Sequence, residues 1–200
     1  MLNVYLLRHG ETTYNADGLR YCGITDAPLT EKGKQQAATV AEPLKNIAFD
    51  AIYSSPLSRA YDTAVIAAGG RPVIKDQRLM EANFGQWEGK RQEEFVLENE
   101  ALWTTWMKDP CVARAGATGE TGMEVVTRVN DFFEWARQEH KDGTILVVGH
   151  NAVNRFYLAY KMGIPLKNYR RILQLNSSIT MFTLDETSEI VLKLLNATSL

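Results

Sequence analysis

Histidine occurs three times and cysteine twice in these 200 residues, and that scarcity narrows the chemistry at once. Cys22 and Cys111 show neither C-x-x-C spacing nor a disulfide framework, so both thiols are expected to be reduced. No apolar run approaches the roughly 18 residues that a membrane span requires. The opening MLNVYLLRHG has neither the basic start nor the small-residue cleavage site of a signal peptide, and the expected location is cytoplasmic. An excess of positive charge is missing too, since 22 Lys and Arg face 24 Asp and Glu, for a net charge of -2. That balance argues against a surface that covers nucleic acid or an anionic membrane, and any cationic site must be local. Internal repeats and low-complexity segments are also lacking.

Short β-branched apolar runs alternate with longer helical patterns, which predicts an α/β fold. The first strand is Asn3–Leu7. Thr30 is placed to cap a helix over TEKGKQQAATVAEPLKNI, with Gly33 and Pro43 as weak points. A second strand, AIYSS, leads to Ser55–Pro56, a serine cap with proline in the first helical position, and a helix from Leu57 to about Ala68 that closes on Gly69–Gly70. RPVIK reads as a short third strand. The charged and aromatic stretch of about thirty residues that follows, at about 88–120, reads as a lid crossing one face of the sheet. Thr121 then caps GMEVVTRVNDFFEWARQEHK, and TILVVG is the clearest buried strand. Asn151 is the expected cap of AVNRFYLAYKM, which Gly163 and Pro165 end. SSITMFTLD and EIVLKLLN form a strand pair at the sheet edge. The chain as a whole, 1–200, reads as a single domain.

Three strand tips carry residues that strand termination does not need. The first ends in Arg8-His9, the second leads to Arg59 within the first helical turn, and TILVVG ends at His150. In an open α/β sheet, ligands sit outside the carboxyl ends of strands, where helix N-termini converge. Two arginines, two histidines and free helical N–H groups at one edge make an electropositive pocket suited to a phosphoryl group. The same guanidinium groups repel a divalent cation, so no metal is expected. A neutral imidazole is a competent nucleophile, and the neighbouring arginine keeps the His9 lone pair free of a proton. Glu81, in RLMEANFGQWEGK, is the candidate proton donor: a carboxyl beside a phosphate dianion and shielded from water holds a proton it can deliver.

LLRHGETTYN resembles the signature of the histidine phosphatase superfamily, the phosphoglycerate mutase-like family. The resemblance extends in order through RYCGITDAPLTEKG, YSSPLSRAYDTA, LMEANFGQWEGK, GETGMEVVTRV and VVGHNAVNRF, and so covers essentially the whole chain. It implies a three-layer α/β sandwich with a mostly parallel central sheet, an antiparallel edge strand and helices on both faces. It further implies His9 as the phosphorylated nucleophile, Arg8, Arg59 and His150 as the phosphate pocket, and Glu81 as proton donor and acceptor. Asn15, Cys22 and Gly23 are implied contacts of the phosphate or its substrate, with no metal or organic cofactor. The second histidine block reads Gly149-His150-Asn151 where bacterial phosphatases usually have S-H-G. It looks closer to the C-H-Q-A-V block of the fructose-2,6-bisphosphatase branch, and the Asn151 amide is a further expected substrate contact.

The expected activity is hydrolysis of a phosphomonoester through a phosphohistidine on His9, the substrate being a small phosphorylated metabolite such as a sugar phosphate. Two alternatives stand beside it. One is metal-independent mutase-type phosphoryl transfer, disfavoured because the family's phosphoglycerate mutases resemble longer chains with a larger insertion and tail. The other is a phosphate-binding module without turnover, disfavoured because no chemical residue is lost. Glu88 competes with Glu81 for the acid role. The aromatics Trp87, Phe95, Trp103 and Trp106 read as packing ahead of substrate platforms, and His140 reads as a helix-end residue. The C-terminal strand pair offers one surface for a homodimer.

Overall fold

The computed structural model describes residues 1–198. Its strands and helices alternate along the chain: β1 (Leu2–Arg8), α1 (Thr13–Ala16), α2 (Glu31–Leu44), β2 (Ala51–Ser54), α3 (Ser58–Ala68) and β3 (Ile74–Lys75) come first. Then follow α4 (Gln92–Glu98), α5 (Glu100–Lys108), α6 (Gly122–Glu139), β4 (Thr144–Gly149), α7 (Asn151–Lys161), β5 (Ile179–Leu184) and β6 (Ile190–Ala197). The strands form one sheet in the order β3-β2-β4-β1-β5-β6. β1, β2, β3 and β4 pair in parallel, while β5 runs antiparallel to both β1 and β6. The inverted strand is therefore β5, one place in from the edge that β6 forms.

Alternation along the buried strands feeds two cores. Ile145 and Val147 of β4 join Val4 and Leu6 of β1 against Val129, Phe132, Phe133 and Phe156 of α6 and α7. Leu146 and Val148 join Leu7 and Ile52 against Val40 of α2 and Ala60 and Ala64 of α3. A strand apolar at every position is what a sheet covered on both faces demands.

Local signals place several helix starts as expected. Thr30 Oγ1 accepts the Gly33 N–H at 3.0 Å, and Thr121 forms a reciprocal capping box with Glu124. Two other starts differ. α3 begins at Ser58, not Leu57, because Ser55 Oγ turns onto the Leu57 N–H while both carboxylate oxygens of Asp26 accept the Ser58 N–H. Asn151 is the first residue of α7, and His150 is its N-cap without a side-chain bond. In each case a carboxylate from a distant loop does the capping that a local side chain was expected to do. α2 stops at Leu44, with Pro43 in its last turn, and β3 is a two-residue, exposed pairing.

Gly33 holds its place in α2 through a close approach. A Cβ there would meet the Glu11 carbonyl oxygen at 2.1 Å, and one on Gly10 would meet the Gly33 carbonyl oxygen at 2.4 Å. Two glycines let the loop after β1 press against the helix.

Candidate active site

Register brings the two histidines together. Arg8 pairs with Gly149 across the parallel β1–β4 ladder, so the next residues, His9 and His150, leave adjacent strand tips side by side. Their ring centroids are 5.1 Å apart. β2 pairs Ser54 with Val148 on the other side of β4, which carries the chain to Arg59 at the second position of α3.

The hydrogen bonds assign the two rings opposite tautomers. His9 Nδ1 lies 2.7 Å from the Gly10 carbonyl, which can only accept, so Nδ1 carries the proton and Nε2 keeps its lone pair. His150 Nδ1 accepts from Arg59 Nε at 3.2 Å, so its proton is on Nε2, which is sealed from solvent and has no partner among the described residues. Burial, then Arg59 and Arg8, hold His9 well below the usual imidazole range. Burial and then Arg59 and His9 do the same for His150. Both rings are neutral near pH 7, one presenting a lone pair and the other an N–H.

His9 is clamped on every side. Its N–H donates to Gly149, its carbonyl accepts from Asn176 Nδ2 at 3.1 Å, and the Gly10 N–H donates to Thr63 Oγ1 at 3.0 Å. Arg8 donates from Nη1 to the Gln174 carbonyl at 2.7 Å, while its Nε is buried without a partner among the described residues. Burial, with Arg155 next, lowers the Arg8 guanidinium to about 10, so it stays charged at neutral pH.

The cavity at this edge is about 600 Å³, and Arg8, His9, Asn15, Cys22, Glu81 and Asn151 all line it. Asn15 Oδ1 accepts from the Thr12 N–H and from Asn176 Nδ2, which fixes the side chain. Asn151 Oδ1 is buried and has no partner among the described residues. Cys22 reaches the wall as a protonated thiol, pushed up to about 11 chiefly by burial, with Sγ on the Thr25 carbonyl.

Three expected residues stand outside the wall. Arg59 is fully buried, and besides His150 its nitrogens donate to the carbonyls of Thr25, Cys22 and Gly23. It organises the loop and the second histidine rather than opening a fork onto the cavity. Gly23 serves that same loop, since a Cβ there would lie 2.3 Å from the Ala82 carbonyl oxygen. His150 is fully buried next to His9.

Glu81 is 4% exposed and accepts three backbone N–H groups: Ala82 at 3.0 Å, Ala152 at 3.0 Å and Val153 at 2.8 Å. The N–H groups expected to be free at the start of α7 are thus taken by this carboxylate, which completes the helix and lines the cavity together. Glu88 is spent elsewhere, on the N–H groups of Ile24, Thr25 and Phe84. Arg128 fixes the segment before Glu81 by donating to the carbonyls of Arg78, Met80 and Glu81.

The aromatics of the 88–120 segment and Trp87 pack on one another. Trp87 and Phe95 stack at 4.8 Å, and Trp106 meets Phe156 edge-on, with none of them on the cavity wall. Sequence reasoning missed Gln174, Asn176, Asn154 and Thr63, the polar groups behind Arg8 and His9. The alternation LQLN before β5 was a signal for the first two, because residues two apart face the same way in extended chain. Asn154 donates to the Leu7 carbonyl and to Gln174 Oε1, bonds that only the folded chain creates. Among the described residues no three His, Cys, Asp or Glu side chains gather as a metal-binding group, and no helix is long and apolar enough to cross a membrane.

The model of the histidine phosphatase superfamily, branch 1, matches residues 4–198. Phosphoserine phosphatase 1 of Hydrogenobacter thermophilus is 33% identical over 97% of this chain and 92% of its own length. A probable phosphoglycerate mutase, GpmB, of Escherichia coli is 36% identical over 94% of this chain and 87% of its own length. A phosphoserine phosphatase mutant from Entamoeba histolytica, solved in complex with phosphoserine, superimposes with a TM-score of 0.90 at 30% identity, covering 99% of this chain and 98% of that one.

Proposed function

The chain belongs to the histidine phosphatase superfamily, and from that premise we propose that it is a phosphomonoester hydrolase working through a phosphohistidine on His9. The observation that carries this reading is the pairing of opposite tautomers. His9 turns an unprotonated Nε2 toward the cavity, and its neighbour His150 holds an unpartnered N–H. In the first step the Nε2 lone pair attacks phosphorus and the bond from phosphorus to the ester oxygen breaks. Glu81 gives its proton to the departing oxygen, which leaves as an alcohol. In the second, the Glu81 carboxylate takes a proton from water as its oxygen attacks phosphorus, the P–N bond breaks and inorganic phosphate leaves. Arg8 and the His150 N–H stabilise the oxygens of the transferring group, because they are fixed before charge redistributes. Three backbone N–H groups hold the Glu81 side chain in place for that exchange, and the proton given up in the first step is regained in the second.

The domain reading follows the same line: one catalytic domain, in which the 88–120 segment, bearing α4 and α5, covers the site. Hydrolysis is supported by relatives named phosphoserine phosphatase that match 97% and 99% of this chain, and mutase transfer is the second reading because a probable phosphoglycerate mutase matches 94% of it. A small phosphorylated metabolite is the substrate class. Incubation with p-nitrophenyl phosphate tests the proposal. Wild type should release phosphate and, when quenched in base, carry an acid-labile phosphoryl label. His9→Ala should lose both, turnover falling by at least about a thousandfold. A label that survives on His9→Ala would move the nucleophile elsewhere. Conversion of 3-phosphoglycerate to 2-phosphoglycerate faster than phosphate release would favour the mutase.

A further inference from the structure

Asn176 stands behind the cavity, half-buried, between two residues that face into it. Its Nδ2 donates to the His9 carbonyl at 3.1 Å and to Asn15 Oδ1 at 3.3 Å. The segment that carries it is pinned from both sides. The Ser177 N–H donates to the Arg8 carbonyl at 3.0 Å and to the His9 carbonyl at 3.3 Å. On the outer side, the Leu175 N–H donates to Asn196 Oδ1 of the edge strand β6 at 2.6 Å. Ser177 is buried and holds a φ of 54°, a left-handed backbone that a serine adopts only at a cost. The surrounding bonds hold it there, laid along the end of β1.

Each amide has one orientation that satisfies these bonds. A carbonyl can only accept, so the end of Asn176 that meets His9 is its NH2, and the two hydrogens serve His9 and Asn15. The atom of Asn15 that receives this NH2 also receives the Thr12 N–H, 3.1 Å away, and is therefore its oxygen. The other end of the Asn15 amide is its NH2. Asn15 lines the cavity, and no hydrogen bond among the described residues engages that NH2. The oxygens of a phosphomonoester dianion only accept, so an amide turned this way attracts them and a flipped one repels them. Thr12 by itself would leave the orientation to one bond within α1, a helix of four residues. Asn176 adds a second donor from a segment 161 residues away.

We propose that Asn176 is a positioning residue for phosphate: by donating to Asn15 Oδ1 it holds the Asn15 NH2 toward the cavity, where that group meets the phosphoryl oxygens. Asn176 itself does not touch the substrate. The inference rests on the phosphomonoester hydrolase reading for its kinetics, while its binding arm needs only that phosphate enters the cavity.

A double-mutant cycle on Asn15 and Asn176 tests it, with p-nitrophenyl phosphate for turnover and inorganic phosphate for binding by calorimetry. Asn176→Ala should lower kcat/KM and phosphate affinity by about tenfold. The His9 carbonyl keeps the Ser177 N–H in that variant, while Asn15 Oδ1 loses one of its two donors. In an Asn15→Ala background the same substitution should cost no more than about twofold. A residue that only packs, or that acts through His9, would cost as much in either background, and such additivity overturns the proposal. Wild-type phosphate affinity in Asn176→Ala overturns it as well. If Asn176→Ala does not fold, Asn176→Leu, which keeps the outline of the side chain without its N–H groups, enters the same cycle. Failure of both to fold makes Asn176 a structural residue and overturns the proposal. Phosphate binding without turnover fails the hydrolase reading alone, and the cycle is then decided by the dissociation constants. A wild type that neither turns over nor binds phosphate overturns both.

Discussion

Arg59 Nε donates to His150 Nδ1 across 3.2 Å, and that bond decides which nitrogen of His150 carries the proton. A guanidinium cannot accept, so the imidazole must, and its N–H is forced to the other side of the ring. The remaining Arg59 nitrogens hold the carbonyls of the 22–25 loop. One buried guanidinium thereby orders both the tautomer of His150 and the loop beside it.

Arg59→Lys should therefore cost about a hundredfold in kcat/KM for aryl and alkyl phosphates alike, the loss typical of a displaced oxyanion donor. Nitrogen NMR of His150 should report Nε2–H in wild type and a mixture of tautomers in the variant. An unchanged tautomer with reduced activity would assign the loss to the loop alone.

Glu81→Gln should separate substrates by leaving group. Alkyl phosphates, which need a proton, should lose about a hundredfold to ten-thousandfold, and nitrophenyl phosphate far less. Equal losses for both would leave Glu81 as the cap of α7 only. The amide keeps one acceptor oxygen for the N–H groups of Ala152 and Val153, so the fold should survive with a lower Tm.

The two neutral histidines make stability depend on pH with a definite sign. Both are held below the ordinary value of 6.5. Below about pH 6.5 the unfolded chain binds protons the folded chain refuses, so stability is complete above that pH and falls as pH drops beneath it. The slope is at most about 1.4 kcal/mol per pH unit for each histidine. His150→Gln, which still offers Arg59 an acceptor, should lose less stability between pH 7 and 5, by on the order of 1–2 kcal/mol in urea unfolding. An identical pH dependence in wild type and variant would show that His150 is not the group responsible.

Gly33→Ala tests a contest between local preference and packing. Alanine in a helix interior is ordinarily worth about 1 kcal/mol over glycine. Here its Cβ would lie 2.1 Å from a backbone oxygen of Glu11, two residues after His9. The expected result is a loss of about 1–3 kcal/mol, as overpacking commonly costs, with a lower kcat. A gain in Tm with unchanged kcat would show that the loop yields freely.

Much of this protein was determined by its sequence alone. Short apolar runs fix β1 and β4 as strands, Thr30 and Thr121 start their helices, and the unusual residues at the strand tips mark one edge of the sheet. These signals are local, written within a few residues of where they act. Glu81 as the cap of α7, Asp26 as the cap of α3 and Arg59 as the partner of His150 were decided only by tertiary structure, as were Asn154 and Asn176 behind the end of β1. Each joins groups separated by about thirty to nearly 170 residues. A buried hydrogen-bonding group must find a partner, but nothing in its sequence neighbourhood says which one, because the choice belongs to whatever the folded sheet brings within hydrogen-bonding distance.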